Sequence, residues 1–245
     1  KQGREITMIK VAPETLHQLA YQRLAEAGLS EKEASKVSDV LVHADIRGVH
    51  SHGVMRVEHY CKRIAEGGMN IRPNYQVDTI SPSVAVLDSD DGMGHTALID
   101  ATDLAIKLAH ETGLGFVSIK NTSHCGALSY FAKQATDAGK ICICMTQTDT
   151  CVAPYGGAKP FFGTNPIAFG FPVENGEPVI VDMATSATAY GKLLHAKETG
   201  NSIGLGLAID EYGNETTDPH KAKTLLPFGG HKGFGIALAI DALTG

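Results

Sequence analysis

Tryptophan is absent from the 245 residues, and aromatic residues make up only 6 % of the chain. A stacking platform for bases or sugars is therefore not expected. No apolar run approaches the roughly 20 residues needed to span a bilayer, so no membrane-spanning helix is predicted. Charged residues make up 20 % and the net charge is −6, which excludes the basic face of a nucleic-acid or anionic-membrane binder.

Zinc and redox cysteine motifs are also missing. The five cysteines, whose spacings match neither pattern, are Cys61, Cys125, Cys142, Cys144 and Cys151. Cys142 and Cys144 alternate with isoleucines, which predicts two buried thiols on one face of a strand. Reduced thiols are typical of the cytoplasm, and a cytoplasmic location is expected.

Residues 8–73 are predicted to form an N-terminal helical subdomain, and residues 1–7, ahead of Met8, to be an added extension. Pro13 favours the start of a first helix. Ser30 and Glu33 have the spacing of a capping box at the start of a second. A third helix is predicted from about Val54 to Gly67-Gly68, with the glycines as its C-cap.

Residues 74–245 are predicted to form a mixed-sheet domain that is truncated at its C-terminus, because an apolar helix from about Lys232 still continues at Gly245. Helices are expected near 95–112 and 127–138. The predicted strands are Tyr75–Thr79, Val84–Leu87, Gly115–Ile119, Lys140–Met145, Pro166–Phe169 and Val179–Asp182. The alternation of strands and helices indicates an α+β or α/β mixed-sheet fold.

The segment around the third helix carries a first candidate site. If that helix begins near Ser51, then His52, Arg56 and Tyr60 are four residues apart and share one face. A guanidinium between two hydrogen-bonding groups suits a small carboxylate. The alternative is an ordinary solvated helix face. A metal site at His50-x-His52 is disfavoured, because no third ligand has recognisable spacing.

His124 stands between a predicted strand and a predicted helix, where functional residues gather in sheet proteins. A histidine at such a position can act as a general base near neutral pH. In a rival interpretation Cys125 is a nucleophile, but adjacent side chains point apart in an extended segment. A histidine that only caps the loop also fits the spacing.

Glycine-bearing loops occur at Tyr155–Ala158, Phe162–Pro166 and Phe228–Gly235. Glycines at a helix start allow backbone amides to approach a phosphate, and Lys232 adds positive charge. Neither the Rossmann fingerprint nor the P-loop pattern is present. Taken singly, each loop is as well explained by a structural turn.

Together, several segments resemble the type 2 malate/L-lactate dehydrogenase family, and the similarity runs in order from Val11 to Gly245. The segments are Arg47–Gly53, Ser123–Gly126, Gly163–Pro166, Val181–Thr185 and Gly230–Gly233. The resemblance implies a non-Rossmann nicotinamide-binding fold with a helical part beside the sheet domain. It also implies a homodimer or higher homo-oligomer.

The family's functional positions fall on matching residues of this chain. The resemblance implies that His124 is the catalytic proton acceptor and that His52, Arg56 and, less strongly, Tyr60 bind the substrate. Positions that match the dinucleotide contacts are Thr148, Asp182, Met183, Ala184, Lys232 and Gly233. Asp149 is a further candidate, because a carboxylate near the adenosine ribose would repel a 2′-phosphate and favour NAD over NADP.

The implied activity is oxidation of the secondary alcohol of a small 2-hydroxy acid by hydride transfer to NAD. Malate, L-lactate and sulfolactate remain open as substrates, as does reduction of a cyclic imine by the same fold. A non-catalytic nucleotide-binding protein is the alternative from another class.

Overall fold

The computed structural model describes residues 10–245. Residues 1–9 lie outside the described part, and with them the predicted extension at residues 1–7. The chain forms two compact units. Unit 1 comprises the chain up to Asp78, Leu87–Asp100 and Ile119–Ala127, and unit 2 comprises Thr79–Val86, Ala101–Ser118 and Leu128–Gly245. The domain boundary placed at residue 73 stays a prediction.

Unit 1 begins with the helices α1 (Pro13–Glu26), α2 (Glu31–Ile46) and α3 (Val57–Ala65). Pro13 is the first residue of α1, where a missing amide hydrogen breaks no helical bond. The capping box of α2 is confirmed, because Ser30 Oγ accepts from Glu33 N and Glu33 Oε2 accepts from Ser30 N, both at 3.3 Å.

The three helices share one apolar core. Its fully enclosed members include Leu24 from α1, Val37 and Leu41 from α2, and Tyr60 from α3. Full burial of one aliphatic side chain stabilises the fold by about 1.5–3 kcal/mol. This core therefore holds in place the segment that carries the first candidate site.

The third helix begins close to its predicted start at about Val54, but the start near Ser51, on which the shared face of His52, Arg56 and Tyr60 depends, is wrong. Residues 50–56 form two single turns of 3-10 helix, His50–His52 and Val54–Arg56, and α3 begins only at Val57. The turns are separated at Gly53, whose backbone is extended. His52, Arg56 and Tyr60 therefore do not form one stripe along a continuous α-helix.

A three-stranded sheet has the order β1 (Gln76–Ser81), β2 (Val84–Gly92) and β3 (Phe116–Thr122). The helix α4 (Gly94–Thr112) connects β2 to β3. All three strands and the helix were predicted from the sequence, with ends that differ by a few residues. His124 follows β3 directly, as expected.

A second sheet in unit 2 is antiparallel and consists of β4 (Cys142–Met145), β5 (Ile167–Phe171) and β6 (Val179–Met183). The helix α5 (Ser129–Asp137) packs on β5, where a Cβ at Gly170 would lie 2.9 Å from the Ala132 carbonyl oxygen. Gly170 thus permits the close approach of helix and strand.

The rest of unit 2 contains α6 (Tyr190–Thr199), the short antiparallel pair β7 (Ala208–Ile209) and β8 (Thr224–Leu225), and α7 (His231–Thr244). The sequence did not predict α6, β7 or β8. The α/β fold class is confirmed, although the strands form three small sheets rather than one.

Cys142 and Cys144 share a face of β4 as predicted, but both are half-buried rather than buried. Burial still raises the pKa of the Cys142 thiol. All five cysteines are free thiols. The helices within residues 10–245 are too short or too polar to cross a lipid bilayer.

Candidate active site

Asp45, near the end of α2, shapes the two 3-10 turns. Its Oδ1 lies 2.8 Å from His50 Nδ1, and its Oδ2 accepts a hydrogen bond from Val54 N at 2.8 Å. A Cβ at Gly53 would lie 2.2 Å from Asp45 Oδ1, so any larger residue at this position would displace the carboxylate that bonds both turns. No local sequence pattern links a helix end to a turn several residues later, so this role of Asp45 was not predicted.

Arg56, in the second 3-10 turn, is held by the first. Its Nε donates to the Ser51 carbonyl oxygen at 2.7 Å, and the side chain is partly buried. Within residues 10–245 no carboxylate forms an ion pair with Arg56. Both terminal nitrogens of the guanidinium therefore remain for an external acceptor, and a carboxylate matches that planar pair of donors.

His52 lies against His124. The two ring centroids are 5.7 Å apart and the planes meet at 26°, which is a stacked arrangement. His52 Nδ1 is 3.0 Å from Ser51 Oγ. The structure thus brings the predicted substrate-binding histidine and the predicted catalytic histidine together.

Tyr60 has no solvent exposure, so the alternative of a solvated helix face does not hold for this residue. Its hydroxyl lies 2.8 Å from His124 Nδ1. Burial raises the pKa of the Tyr60 phenol, so the hydroxyl keeps its proton at neutral pH. The structure pairs Tyr60 with His124, a contact that helix spacing alone could not predict.

The turn after β3 positions His124. Asn121 has a positive φ of 51°, and Ser123 Oγ accepts from Gly94 N and donates to the Gly92 carbonyl oxygen, both at 3.0 Å. A Cβ at Gly94 would lie 2.1 Å from the Ser123 carbonyl oxygen. The start of α4 and the turn that carries His124 are therefore in close backbone contact.

Two donors converge on His124 Nδ1. Gly126 N donates to it at 3.3 Å, and a backbone N–H can only donate. Nδ1 is then unprotonated, the Tyr60 hydroxyl also donates to it, and the neutral ring carries its proton on Nε2. Nε2 makes no hydrogen bond with any residue that the structure describes.

Burial lowers the pKa of His124 to about 3, and the neighbouring His52 and Arg56 lower it further. The ring is therefore neutral at physiological pH. A neutral imidazole can exchange a proton with a bound ligand without first losing one to solvent.

His95 is a further member of this cluster, and the sequence analysis missed it. Its ring is 5.1 Å from Tyr60 and 6.1 Å from His124, centroid to centroid, and it has no solvent exposure. One histidine at the start of an apolar helix gives no signal that distinguishes a site residue from a core residue.

The predicted dinucleotide contacts lie in unit 2, where hydrogen bonds connect their segments. Thr148 Oγ1 accepts from Thr164 N at 2.8 Å, the Thr164 carbonyl oxygen accepts from Thr185 N at 2.8 Å, and the Thr185 carbonyl oxygen accepts from Phe228 N at 3.0 Å. A Cβ at Gly163 would lie 2.3 Å from Thr148 Oγ1. These four segments therefore converge.

The Asp182 carboxylate caps α5, because its Oδ2 accepts from Ser129 N at 2.8 Å. Met183 and Asp149 are exposed, and Ala184 is partly buried. Asp182 therefore has a structural partner in addition to its predicted ligand contact.

The first turn of α7 carries the remaining predicted dinucleotide contacts, Lys232 and Gly233. Gly230, at the N-cap, offers no capping side chain, and Lys232 is exposed without an ion-pair partner in the described part of the chain. A Cβ at Gly233 would lie 2.0 Å from the Phe228 carbonyl oxygen. The amides of Gly230 and Gly233 donate to the Pro227 and Phe228 carbonyl oxygens, so the helix N-terminus and the Lys232 ammonium are the features that suit an anionic group.

Two alternatives from the sequence receive no support. Among residues 10–245 no group of three or more His, Cys, Asp or Glu side chains could hold a metal ion, and His50 is paired with Asp45. Cys125 is buried, which does not suit a nucleophile that meets a substrate.

A sequence profile of the malate/L-lactate dehydrogenase family matches residues 11–245. The chain belongs to this family and is a dehydrogenase that acts on CH–OH groups. The resemblance found in the sequence is confirmed, and enzymatic function is favoured over a non-catalytic nucleotide-binding role.

Particular relatives refine this placement. The chain is 44 % identical to the ureidoglycolate dehydrogenase (NAD(+)) of Escherichia coli strain K12, over 97 % of this chain and 68 % of the relative. It is 40 % identical to a malate dehydrogenase of Pyrococcus horikoshii, again over 97 % and 68 %. The solved sulfolactate dehydrogenase of Methanocaldococcus jannaschii superposes with a TM-score of 0.89 at 39 % identity, over 96 % of this chain and 69 % of that one.

Proposed function

We propose that this chain oxidises the secondary alcohol of (S)-ureidoglycolate to the ketone of oxalurate with NAD as oxidant, a step in allantoin and purine degradation. The observation that carries the hydroxy-acid part is Arg56, whose guanidinium is tethered through Nε and has no carboxylate partner among the described residues. The similarity to a ureidoglycolate dehydrogenase supports the choice of substrate.

Arg56 would bind the substrate carboxylate through its two terminal nitrogens, and His52 would donate or accept a further hydrogen bond. This fixes the 2-hydroxyl relative to His124, whose ring stacks on His52. Fixing the reacting groups in one geometry is a large part of catalysis in such reactions. Tyr60, expected as a weak substrate contact, would act on His124 instead, because its hydroxyl is bonded to Nδ1.

The proton would be exchanged at His124 Nε2, because Nδ1 is bonded to Tyr60 and Gly126. Nε2 accepts the alcohol proton only when the proton of the neutral ring lies on Nδ1. The Tyr60 hydroxyl then turns from donor to acceptor, which a phenol can do, and the longer Gly126 bond is given up. In the reverse reaction, Nε2–H faces the carbonyl oxygen.

When bound, NAD would supply the hydride acceptor, nicotinamide C4. His124 would take the hydroxyl proton, the hydrogen on the substrate carbon would leave with the electron pair of the C–H bond, and the C=O bond would form. Thr148, the Asp182–Ala184 run, Lys232 and Gly233 would hold the dinucleotide.

NAD is proposed over NADP because of Asp149, which is exposed beside Thr148. A carboxylate near the adenosine ribose repels a 2′-phosphate. Initial rates with NAD and NADP at equal concentration test this preference, and faster turnover with NADP would overturn it.

Another hydroxy acid is the second candidate, favoured by the relatives named malate dehydrogenase and L-sulfolactate dehydrogenase. L-Lactate belongs to the same group. Reduction of a cyclic imine is supported by the 33 % identity to a Δ1-pyrroline-2-carboxylate/Δ1-piperideine-2-carboxylate reductase.

A substrate panel decides between these candidates. Ureidoglycolate, malate, L-lactate and sulfolactate are assayed with NAD, and a cyclic imine carboxylate with NADH and NADPH. We expect the highest kcat/KM with ureidoglycolate. A higher value with any other compound would replace ureidoglycolate as the substrate.

We further propose a homodimer or higher homo-oligomer in the cytoplasm. Large apolar side chains, Ile143, Val179 and Val181 among them, are exposed on the face of the β4–β5–β6 sheet opposite α5. Apolar patches of this kind are typical of protein interfaces. The five free thiols are consistent with a reducing compartment.

A further inference from the structure

His95 is the second residue of α4 and lies wholly inside unit 1, with 0 % of its surface exposed. Neither Nδ1 nor Nε2 has a hydrogen-bond partner in the described part of the chain. An imidazole has at least one donor and one acceptor, and buried polar atoms of this kind normally find partners.

The neighbours of His95 are the two groups that bond His124. Its ring meets the Tyr60 ring edge-on, at 5.1 Å between centroids and 78° between planes. A Cβ at Gly126 would lie 3.1 Å from His95 Cδ2 and from Nε2, so the Gly126 turn packs directly on the imidazole edge. Tyr60 and Gly126 are the two partners of His124 Nδ1.

Packing alone does not explain a histidine at this position. A leucine would fill a buried site without leaving polar atoms unpartnered, and unpartnered polar atoms in a core lower stability. Residues that lower stability in a folded core are found where function requires them. His95 contacts the two groups that bond His124, the proposed proton acceptor. The function in question is therefore proton transfer at His124.

We propose that His95 is a positioning residue: it holds the Tyr60 phenol and the Gly126 turn against His124 Nδ1, and so sets which nitrogen of His124 carries the proton. This inference rests on the proposed function of His124. His95 itself stays neutral, since burial lowers its pKa and the nearby His124 and His52 lower it further.

The first test is His95→Leu in the full chain. Loosening Tyr60 and Gly126 lets the His124 proton leave Nε2, so we expect kcat for reduction of the keto acid, the direction that starts from Nε2–H, to fall on the order of tenfold while KM for the keto acid stays within about twofold. The melting temperature should stay equal or rise, because unpartnered polar atoms are removed. His95→Gln, which keeps a planar polar group, provides a second variant should His95→Leu not fold.

The matched control is Thr96→Val, the next residue on α4. Thr96 is also buried, but its hydroxyl bonds Tyr75 and the Met93 carbonyl oxygen and not the His124 cluster. We expect this variant to lose stability and keep kcat. Equal losses of kcat and stability in both variants would show that His95 only fills space in the core.

A second readout needs no activity. In protein labelled with 15N-histidine and free of NAD, His124 should show an unprotonated Nδ1 and a protonated Nε2. His95→Leu should shift these signals towards an average of the two tautomers. Unchanged signals together with wild-type kcat would overturn the proposal.

His124→Asn separates this inference from the proposed function. If that variant keeps wild-type turnover, the role of His124 is wrong, and the NMR measurement still reports whether His95 orders its ring. If His124→Asn keeps only residual turnover, adding His95→Leu should lower that turnover no further, since the two residues then act as one unit.

Discussion

His124 combines a neutral ring with a fixed orientation, and both properties come from residues distant in sequence. Tyr60 contributes the shorter bond to Nδ1, and burial keeps the ring uncharged. Replacing His124 by an amide residue therefore tests the chemistry of the site rather than the stability of the fold.

His124→Asn removes the proposed proton acceptor and keeps a polar side chain of similar size. We expect kcat to fall on the order of 10²–10⁴-fold, the usual contribution of a general base, with NAD binding retained. Steady-state kinetics and a fluorescence titration with NAD measure the two effects. His110→Asn, at an exposed histidine of α4, is the control and should behave as wild type. Near-normal turnover of His124→Asn would remove this residue from the role.

Arg56→Lys replaces a planar fork by a point charge. Because the substrate carboxylate would lose one of two parallel hydrogen bonds, we expect KM to rise on the order of tenfold with a smaller change in kcat. Arg63→Lys, on the next turns of α3, is the matched control, since Arg63 bonds only the Gly68 carbonyl oxygen. An unchanged KM in Arg56→Lys would count against the carboxylate clamp.

Acid should destabilise the fold through the buried imidazoles. The pKa of His124 is about 3 in the folded protein and that of His95 is also lowered, whereas an unfolded histidine titrates near 6.5. Between these pH values the unfolded chain binds more protons, so stability falls as the pH drops below about 6.5. Denaturant unfolding at pH 5 should show proton uptake lower by about one in His95→Leu than in wild type. Equal uptake in both proteins would show that His95 titrates normally.

Among the structural elements, the pair of 3-10 turns at residues 50–56 departs most from its prediction. Helix spacing placed Tyr60 on one face with His52 and Arg56, while Asp45 and Gly53 divide the segment. The Tyr60 phenol lies in the apolar core of unit 1. The geometry depends on a contact between a side chain and a glycine that lacks a Cβ. Periodicity is not sensitive to such a contact.

Gly53→Ala tests this division. The added Cβ overlaps the Asp45 carboxylate, so we expect a loss of about 1–3 kcal/mol in the free energy of unfolding. KM should rise as well, because Arg56 and His52 belong to the displaced turns. Gly235→Ala is the control: it lies in α7 with no atom within 4 Å of its added Cβ, and it should stabilise the fold slightly. Wild-type KM and stability in Gly53→Ala would disprove the constraint.

Elements with strong local signals were predictable. Six strands, the capping box at Ser30 and the helices α1, α2, α4 and α5 follow from hydrophobic pattern and cap chemistry. The short strands β7 and β8 contain two residues each, too few for any period. His95 and the role of Asp45 depend on tertiary contacts, which the sequence does not display.

For the whole molecule, surface composition bears on assembly. The net charge of −6 is modest, and the exposed face of the β4–β5–β6 sheet is apolar rather than charged. A second copy of the chain is a suitable cover for such a face, because like charges would not oppose the contact strongly.

Ile143→Glu tests that interface. Ile143 is 60 % exposed on β4, and a buried carboxylate without a partner opposes association. We expect light scattering to show a shift from dimer towards monomer. Leu205→Glu, at an exposed leucine outside the sheets, should leave the mass unchanged. A dimer that persists in Ile143→Glu would exclude this face.

The hydrogen bonds from Thr148 through Thr164 and Thr185 to Phe228 also have a dynamic consequence. Each segment accepts a hydrogen bond from an amide of the next segment, so opening one segment exposes the amides of the others to solvent. The amide hydrogens of Thr164, Thr185 and Phe228 should exchange with deuterated water at a common rate, as one cooperative group. The four segments, separated by up to eighty residues, would then open together. A ligand bound to any one of them would slow hydrogen exchange in all four.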